Sequence, residues 1–187
     1  GYPEGQPELQ ENALAGKIML ITGGSQGIGA AVARISAGLG ASGIVINSRF
    51  RSEGAATTLV DELKVIGRES GTRALWIPGD IAEEETAEML VGVTVQKFGR
   101  LDVLINNAGI RSDELFVRMS DAQVRSVFET NFFGAWRLTQ EGINQMRRQR
   151  PRGGAIVFTS SIATEGSPLQ ANYAASKGAI NGLVKSL

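Results

Sequence analysis

A doubly wound α/β fold on one parallel sheet is what this sequence of 187 residues predicts, and three observations carry the prediction. Short apolar runs alternate along the chain with longer amphipathic stretches, the pattern of parallel strands joined by right-handed crossover helices. The first apolar run passes directly into a glycine-rich turn and then a helix, the opening unit of a dinucleotide-binding fold. The length suits one domain.

Ile18-Met19-Leu20-Ile21 is apolar at every position and so reads as a strand buried on both faces. Thr22-Gly23-Gly24-Ser25-Gln26-Gly27-Ile28-Gly29 follows, then an Ala-rich amphipathic helix reaching about residue 39. Glycines allow a tight turn and close backbone approach, and free N–H groups at a helix start favour a pyrophosphate. The spacing is Gly-x-x-x-Gly-x-Gly and lacks the lysine of a P-loop. Ile44-Val45-Ile46-Asn47 is the second buried strand, and Ser48-Arg49 stand at its end. An Asp or Glu there would accept from the ribose 2′-hydroxyl of NAD, whereas a guanidinium suits a 2′-phosphate, so NADP(H) is expected. An Arg49 that merely lies on the surface is the alternative.

Residues 53–66 read as a helix and 73–77 as a strand closed by Pro78-Gly79-Asp80. The helix over 83–98 opens with three acidic residues, which suit the positive end of its dipole. A strand over 101–105 runs into Asn106-Asn107-Ala108-Gly109, and one long helix is expected over 121–147. A fifth strand over 155–159 leads into Ser160-Ser161, and a last helix starts at Gln170. Residues 1–13, polar with Pro and Gly, read as a loosely held N-terminal arm, and 14–187 as the dinucleotide-binding domain. The last helix carries no stop signal, so the natural protein is expected to continue past it.

Nineteen basic residues balance nineteen acidic ones, so bulk attraction to nucleic acid is not expected. No apolar stretch is long enough to span a membrane and no signal peptide is visible. A cytoplasmic location is expected, with an organelle reached by a removed transit peptide as the alternative. The chain contains no histidine and no cysteine, which excludes imidazole acid–base catalysis, thiolate attack and the usual zinc sites, and no metal is expected.

Only two tyrosines exist, and Tyr2 lies in the N-terminal arm. A phenol used as proton donor by the folded body is therefore Tyr173. Lys177, four residues on, shares its helix face, where a cation favours the phenolate left after proton transfer. A Tyr and a Lys that merely share a helix surface are the bland alternative.

Taken together, Thr22 to Gly29, Asn106-Asn107-Ala108-Gly109, Asn131, and Ser160 with Tyr173 and Lys177 resemble the short-chain dehydrogenase/reductase family from about residue 17 to 187. Asn106 through Ile110, Arg111, Leu115, Arg118, Met119 and Ser120 to Glu129-Thr130-Asn131 is most similar to its 3-oxoacyl-[acyl-carrier-protein] reductases. So is Gln170-Ala171-Asn172-Tyr173-Ala174-Ala175-Ser176-Lys177.

The resemblance implies NADPH-dependent reduction of a 3-oxoacyl thioester, with acyl carrier protein as a partner and a homotetramer as the assembly. It implies that Gly23, Ser25, Gln26, Ile28 and Gly29 hold the pyrophosphate and that Ser48 and Arg49 take the 2′-phosphate. Asp80 and Ile81 would contact the adenine, with Asp80 as a helix cap the rival reading, and Asn107, Ala108 and Gly109 would line the ribose side. Lys177 would bond the nicotinamide ribose, Tyr173 would protonate the forming alkoxide, and Asn131 would anchor a water chain, or simply satisfy backbone at a helix kink. The serine that holds the substrate carbonyl is Ser160 by family spacing back from Tyr173, or Ser161 by counting from the strand end with a loop one residue shorter. Gln26 stands where NADP-dependent members often carry Arg, and Val124 where these reductases often carry Trp. A broader carbonyl, alcohol or sugar dehydrogenase and a non-catalytic NADP(H)-binding module are the competing readings.

Overall fold

Apolar runs bury themselves by pairing side by side, and five of them do so here in parallel. They are β1 (Ile18–Thr22), β2 (Gly43–Ser48), β3 (Arg73–Pro78), β4 (Val103–Asn106) and β5 (Ala155–Phe158), in the order β3-β2-β1-β4-β5. The computed structural model describes residue 10 and residues 12–187, so the arm expected over 1–13 lies almost wholly outside the described residues. β1 is central, and strand order reverses direction between β1 and β4. In open α/β sheets that reversal leaves a crevice at the carboxyl ends of the strands.

The register explains the two layers. Leu20 pairs with Val45 on one side and Leu104 on the other, and these side chains point to one face of the sheet. There they meet Leu90 of α3 (Glu84–Phe98) and Leu138 of α5 (Gly134–Arg148). The alternate residues Ile21, Ile44 and Ile46 point to the other face, against Ala33 of α1 (Gly27–Gly38) and Leu63 of α2 (Glu53–Ile66). Every residue of β1 and β2 is buried, as expected for central parallel strands. β3 and β5 form the edges and are more open. Pro78, with no N–H to donate, ends an edge strand where none is missed.

Two elements differ from expectation. The strand expected over 101–105 begins only at Val103, because the side-chain amide of Gln149 takes both Leu101 N–H and Leu101 C=O. The single helix expected over 121–147 is three pieces: α4 (Asp121–Phe128), a π-helical turn Glu129–Phe133, and α5. A capping box between Ser120 and Gln123 starts α4. The π turn adds a residue to the helical ladder, a device frequent at functional sites, and it carries Asn131 inward to 1 % exposure. The final helix is α6 (Ala171–Ser186). Among the described residues no helix is long and apolar enough to cross a membrane.

Candidate active site

A cleft of about 670 Å³ opens where β1 and β4 part. Gly23 lies at φ +61, a left-handed conformation that glycine adopts without steric cost. A Cβ on Gly29 would stand 2.4 Å from the Gly23 carbonyl oxygen, so α1 seats its first turn on the glycine turn only because that atom is missing. Gln26 precedes α1 in extended conformation and its side chain makes no cap hydrogen bond, which leaves the first N–H groups of the helix to bind an anion. Gly23, Ser25, Gln26 and Ile28 border the cleft. Gly29 is packed behind it, and its part is to permit the close approach.

The turn is laced to the end of β4. Thr22 Oγ1 accepts from the N–H groups of Asn107 and Ala108, each at 3.1 Å. Asn107 Nδ2 donates to the Thr22 and Gly23 carbonyls, and its Oδ1 accepts from Thr159 Oγ1. Asn107, Ala108 and Gly109 border the cleft, yet the Asn107 side chain is committed to holding the glycine turn. The cradle, the uncapped helix start and the open space fit a dinucleotide.

At the adenosine end Ser48, Arg49, Asp80 and Ile81 border the same cleft. Ser48 Oγ accepts from Trp76 Nε1 at 3.0 Å. Arg49 stands 3.7 Å from Asp80, both about one-third exposed. Such a pair is worth about 0–1 kcal/mol in water, weak enough to open for a phosphate dianion. Asp80 Oδ1 accepts from Ala82 N–H and shapes the turn before α3, while Glu83 holds the N-cap position. The Ile81 side chain is buried in the core, 5 % exposed. Sequence reasoning missed Arg51 and Ser52, which a short 3₁₀ turn (Phe50–Ser52) brings to the cleft. A second arginine just past the end of β2 was the available signal.

The other end of the cleft holds Tyr173 and Lys177, one turn apart on α6. Lys177 is 3 % exposed, its ammonium lies 5.8 Å from the centre of the Tyr173 ring, and it donates to the Thr159 carbonyl at 2.6 Å. Burial pushes its pKa below the ordinary lysine value. Asn131 lies just behind: its Nδ2 donates to the Ile110 carbonyl and to Ser176 Oγ, and its Oδ1 accepts from Ile110 N–H. The amide at the helix kink therefore satisfies backbone and ties the π turn to α6.

A second cavity of about 600 Å³ adjoins Tyr173, bordered also by Ser161, Gly166 and Gln170. The two serines part here. Ser161 borders this cavity, and its Oγ accepts from Ala163 N–H to cap the 3₁₀ turn Ile162–Glu165. Ser160, the choice by family spacing, is exposed and donates to Asn181 Oδ1 at 2.7 Å, bordering neither cavity. Adjacent residues leaving a strand point to opposite sides, and only Ser161 of the pair borders a cavity that Tyr173 also borders. A phenol shared by two cavities, with a buried cation beside it, is placed to pass a proton between a cofactor cleft and a second ligand.

The family model described as short chain dehydrogenase matches residues 17–187. Nodulation protein G of Rhizobium sp. (strain N33) is 38% identical over 174 residues, 93% of this chain and 66% of the relative. L-rhamnose 1-dehydrogenase (NAD(P)(+)) of Sphingomonas sp. (strain SKA58) is 38% identical over 92% of this chain and 66% of its own. The 3-oxoacyl-[acyl-carrier-protein] reductase FabG of Staphylococcus aureus (strain N315) is 37% identical, with 91% and 66% covered. The chain thus spans just under two thirds of the length of these relatives. A crystal structure of a short chain dehydrogenase from Burkholderia cenocepacia J2315 in complex with NADP is similar at a TM-score of 0.82 and 29% identity, covering 92% of this chain and 67% of that one.

Proposed function

We propose, on the premise that this chain belongs to the short chain dehydrogenase family, that it is an NADP(H)-dependent oxidoreductase reducing the 3-oxo group of a 3-oxoacyl thioester to the 3-hydroxyacyl form. The observation that carries this reading is the position of Tyr173 at the meeting point of the dinucleotide cleft and the second cavity. The NADP complex of the related dehydrogenase supports the cofactor, and Arg49 with Arg51 supplies cations at the adenosine end to receive a 2′-phosphate. Relatives that include 3-oxoacyl-[acyl-carrier-protein] reductases support the substrate class.

When bound in the cleft, NADPH would supply the hydride. The chain's own residues do the rest. Ser161 holds the carbonyl oxygen, and Tyr173 gives its phenolic proton to the oxygen as negative charge develops there. Lys177, close beside the ring, stabilises the phenolate that remains by its charge. Asn131 holds the Ile110 backbone and α6 in fixed relation, so the two sides of the reaction site keep their spacing. Acyl carrier protein as carrier and a homotetramer as assembly belong to the same reading. Phe133 of the π turn and Trp136 of α5, both partly exposed and both packed against Phe132, offer apolar area for subunit contacts.

The L-rhamnose 1-dehydrogenase among the relatives favours a second reading, oxidation of a sugar or another alcohol on the same machinery. NADPH oxidation with an acetoacetyl thioester, set against NADP⁺ reduction with a panel of sugars and simple alcohols, separates the two. Tyr173→Phe should lower turnover by about 10²–10⁴ and leave NADPH affinity nearly unchanged. Ser161→Ala should lower turnover markedly, and Ser160→Ala should not. Full activity in Tyr173→Phe ends the mechanism, and a reversed order of the serines ends the assignment of Ser161.

A further inference from the structure

Among the described residues, Arg111 is the one residue besides Tyr173 that borders both cavities. Its backbone is held rigidly on either side. Ile110 gives both its N–H and its carbonyl to the buried amide of Asn131, at 2.8 and 3.0 Å. The Ser112 carbonyl accepts from Nδ2 of Asn172, itself 2 % exposed, and Ser112 Oγ accepts from Gln123 Nε2. Two buried asparagines, one in the π turn and one on α6, thus clamp the residues before and after Arg111. Its own guanidinium makes no hydrogen bond or ion pair among the described residues, and the residue is exposed. Such a clamp positions a cation without occupying it.

The surrounding charges leave that cation available. Asp113, two residues on, is engaged by Gln170 Nε2 at 3.1 Å. Glu165 borders the second cavity alone and stands in no ion pair with Arg111. A planar fork of N–H donors beside the proton donor suits an oxygen acceptor a few bonds from the reacting carbonyl. A plain ketone has no such oxygen, and a 3-oxoacyl compound has one on the carbon two positions away. We infer that Arg111 receives this second oxygen, the acyl carbonyl of a 3-oxo thioester or the carboxylate of the free 3-oxo acid, and so sets the enzyme's preference for 3-oxoacyl substrates over isolated ketones. This rests on the reductase reading above and gives it a specificity-determining residue.

The test compares kcat/KM for an acetoacetyl thioester, acetoacetate and 2-pentanone in the wild type, Arg111→Met and Arg111→Lys, with the NADPH dissociation constant measured alongside. Arg111→Met should lower kcat/KM for the thioester or for acetoacetate by about tenfold or more. Turnover of 2-pentanone and the affinity for NADPH should change by less than about twofold, because neither uses the guanidinium. The larger of the two losses tells which oxygen is read, and Arg111→Lys should restore part of an acetoacetate loss through its charge. An unchanged ratio between 3-oxoacyl substrates and 2-pentanone overturns the inference and leaves the reductase reading standing, as does an equal fall for all three. Should the wild type bind NADPH yet turn over none of them, the reductase reading fails. Quenching of bound NADPH fluorescence by the thioester then decides on Arg111: quenching weakened in Arg111→Met supports the inference, and equal or absent quenching overturns it.

Discussion

Replacing Asn131 by Ala removes three hydrogen bonds at once, two partly buried ones to the N–H and carbonyl of Ile110 and a buried one to Ser176 Oγ. At about 0.5–1.5 kcal/mol net for each, with the Ile110 backbone groups left without partners, the loss comes to about 2–4 kcal/mol. Water is a poor substitute at a position 1 % exposed. For a domain of this size the same loss lowers Tm by about 5–15 °C. Urea denaturation followed by the fluorescence of the two tryptophans measures it directly. The variant carries a functional signature as well: freeing Ile110 loosens Arg111 beside it, so KM for a 3-oxoacyl substrate should rise more than the dissociation constant for NADPH. A loss below about 1 kcal/mol would show that the amide is not the tie between the π turn and α6, and would refute the reasoning.

Two further outcomes follow from the charges at the site. Arg49→Ala and Arg51→Ala should each raise KM for NADPH by about tenfold to a hundredfold, as for a lost hydrogen bond to a charged group, and leave NADH kinetics nearly unchanged. A variant in which NADH and NADPH suffer alike counts against a 2′-phosphate contact. Lys177 gives a pH dependence whose sign is set by burial, which lowers its folded-state pKa below the ordinary lysine value. Between the lowered value and the ordinary one near 10.4 the unfolded chain holds more protons, so this group's contribution to stability rises with pH across that window. The stability of the wild type relative to Lys177→Met, from urea denaturation between about pH 7 and 10, should therefore climb with pH, and a flat difference would contradict the burial effect.

Much of the scaffold was legible in local pattern. The runs at Ile18 and Ile44 became central strands because residues apolar at every position can be buried on both faces only inside a parallel sheet. The helix Glu53–Ile66 appears with the bounds its pattern predicts. The glycine turn is where its spacing put it, with Gly23 in the left-handed region and Gly29 against the Gly23 carbonyl. The edge at Val103 and the break in the long helix were not legible, since Gln149 and Asn131 act on backbone far away in sequence.

What the sequence alone determined, then, is the alternation of strand and helix, the glycine cradle between β1 and α1, and the pairing of Tyr173 with Lys177 one helical turn apart. These depend on residues within a few positions of each other, whose relation is set by the periods of helix and strand. The tertiary structure alone decided that Ser161 borders a cavity with Tyr173 while Ser160 turns to Asn181, that Arg51 joins Arg49 at the cleft, and that Arg111 stands clamped between two cavities. Each of those rests on which segments, tens of residues apart, meet across the sheet's switch point, and hydrogen bonds between such segments leave no mark on local periodicity.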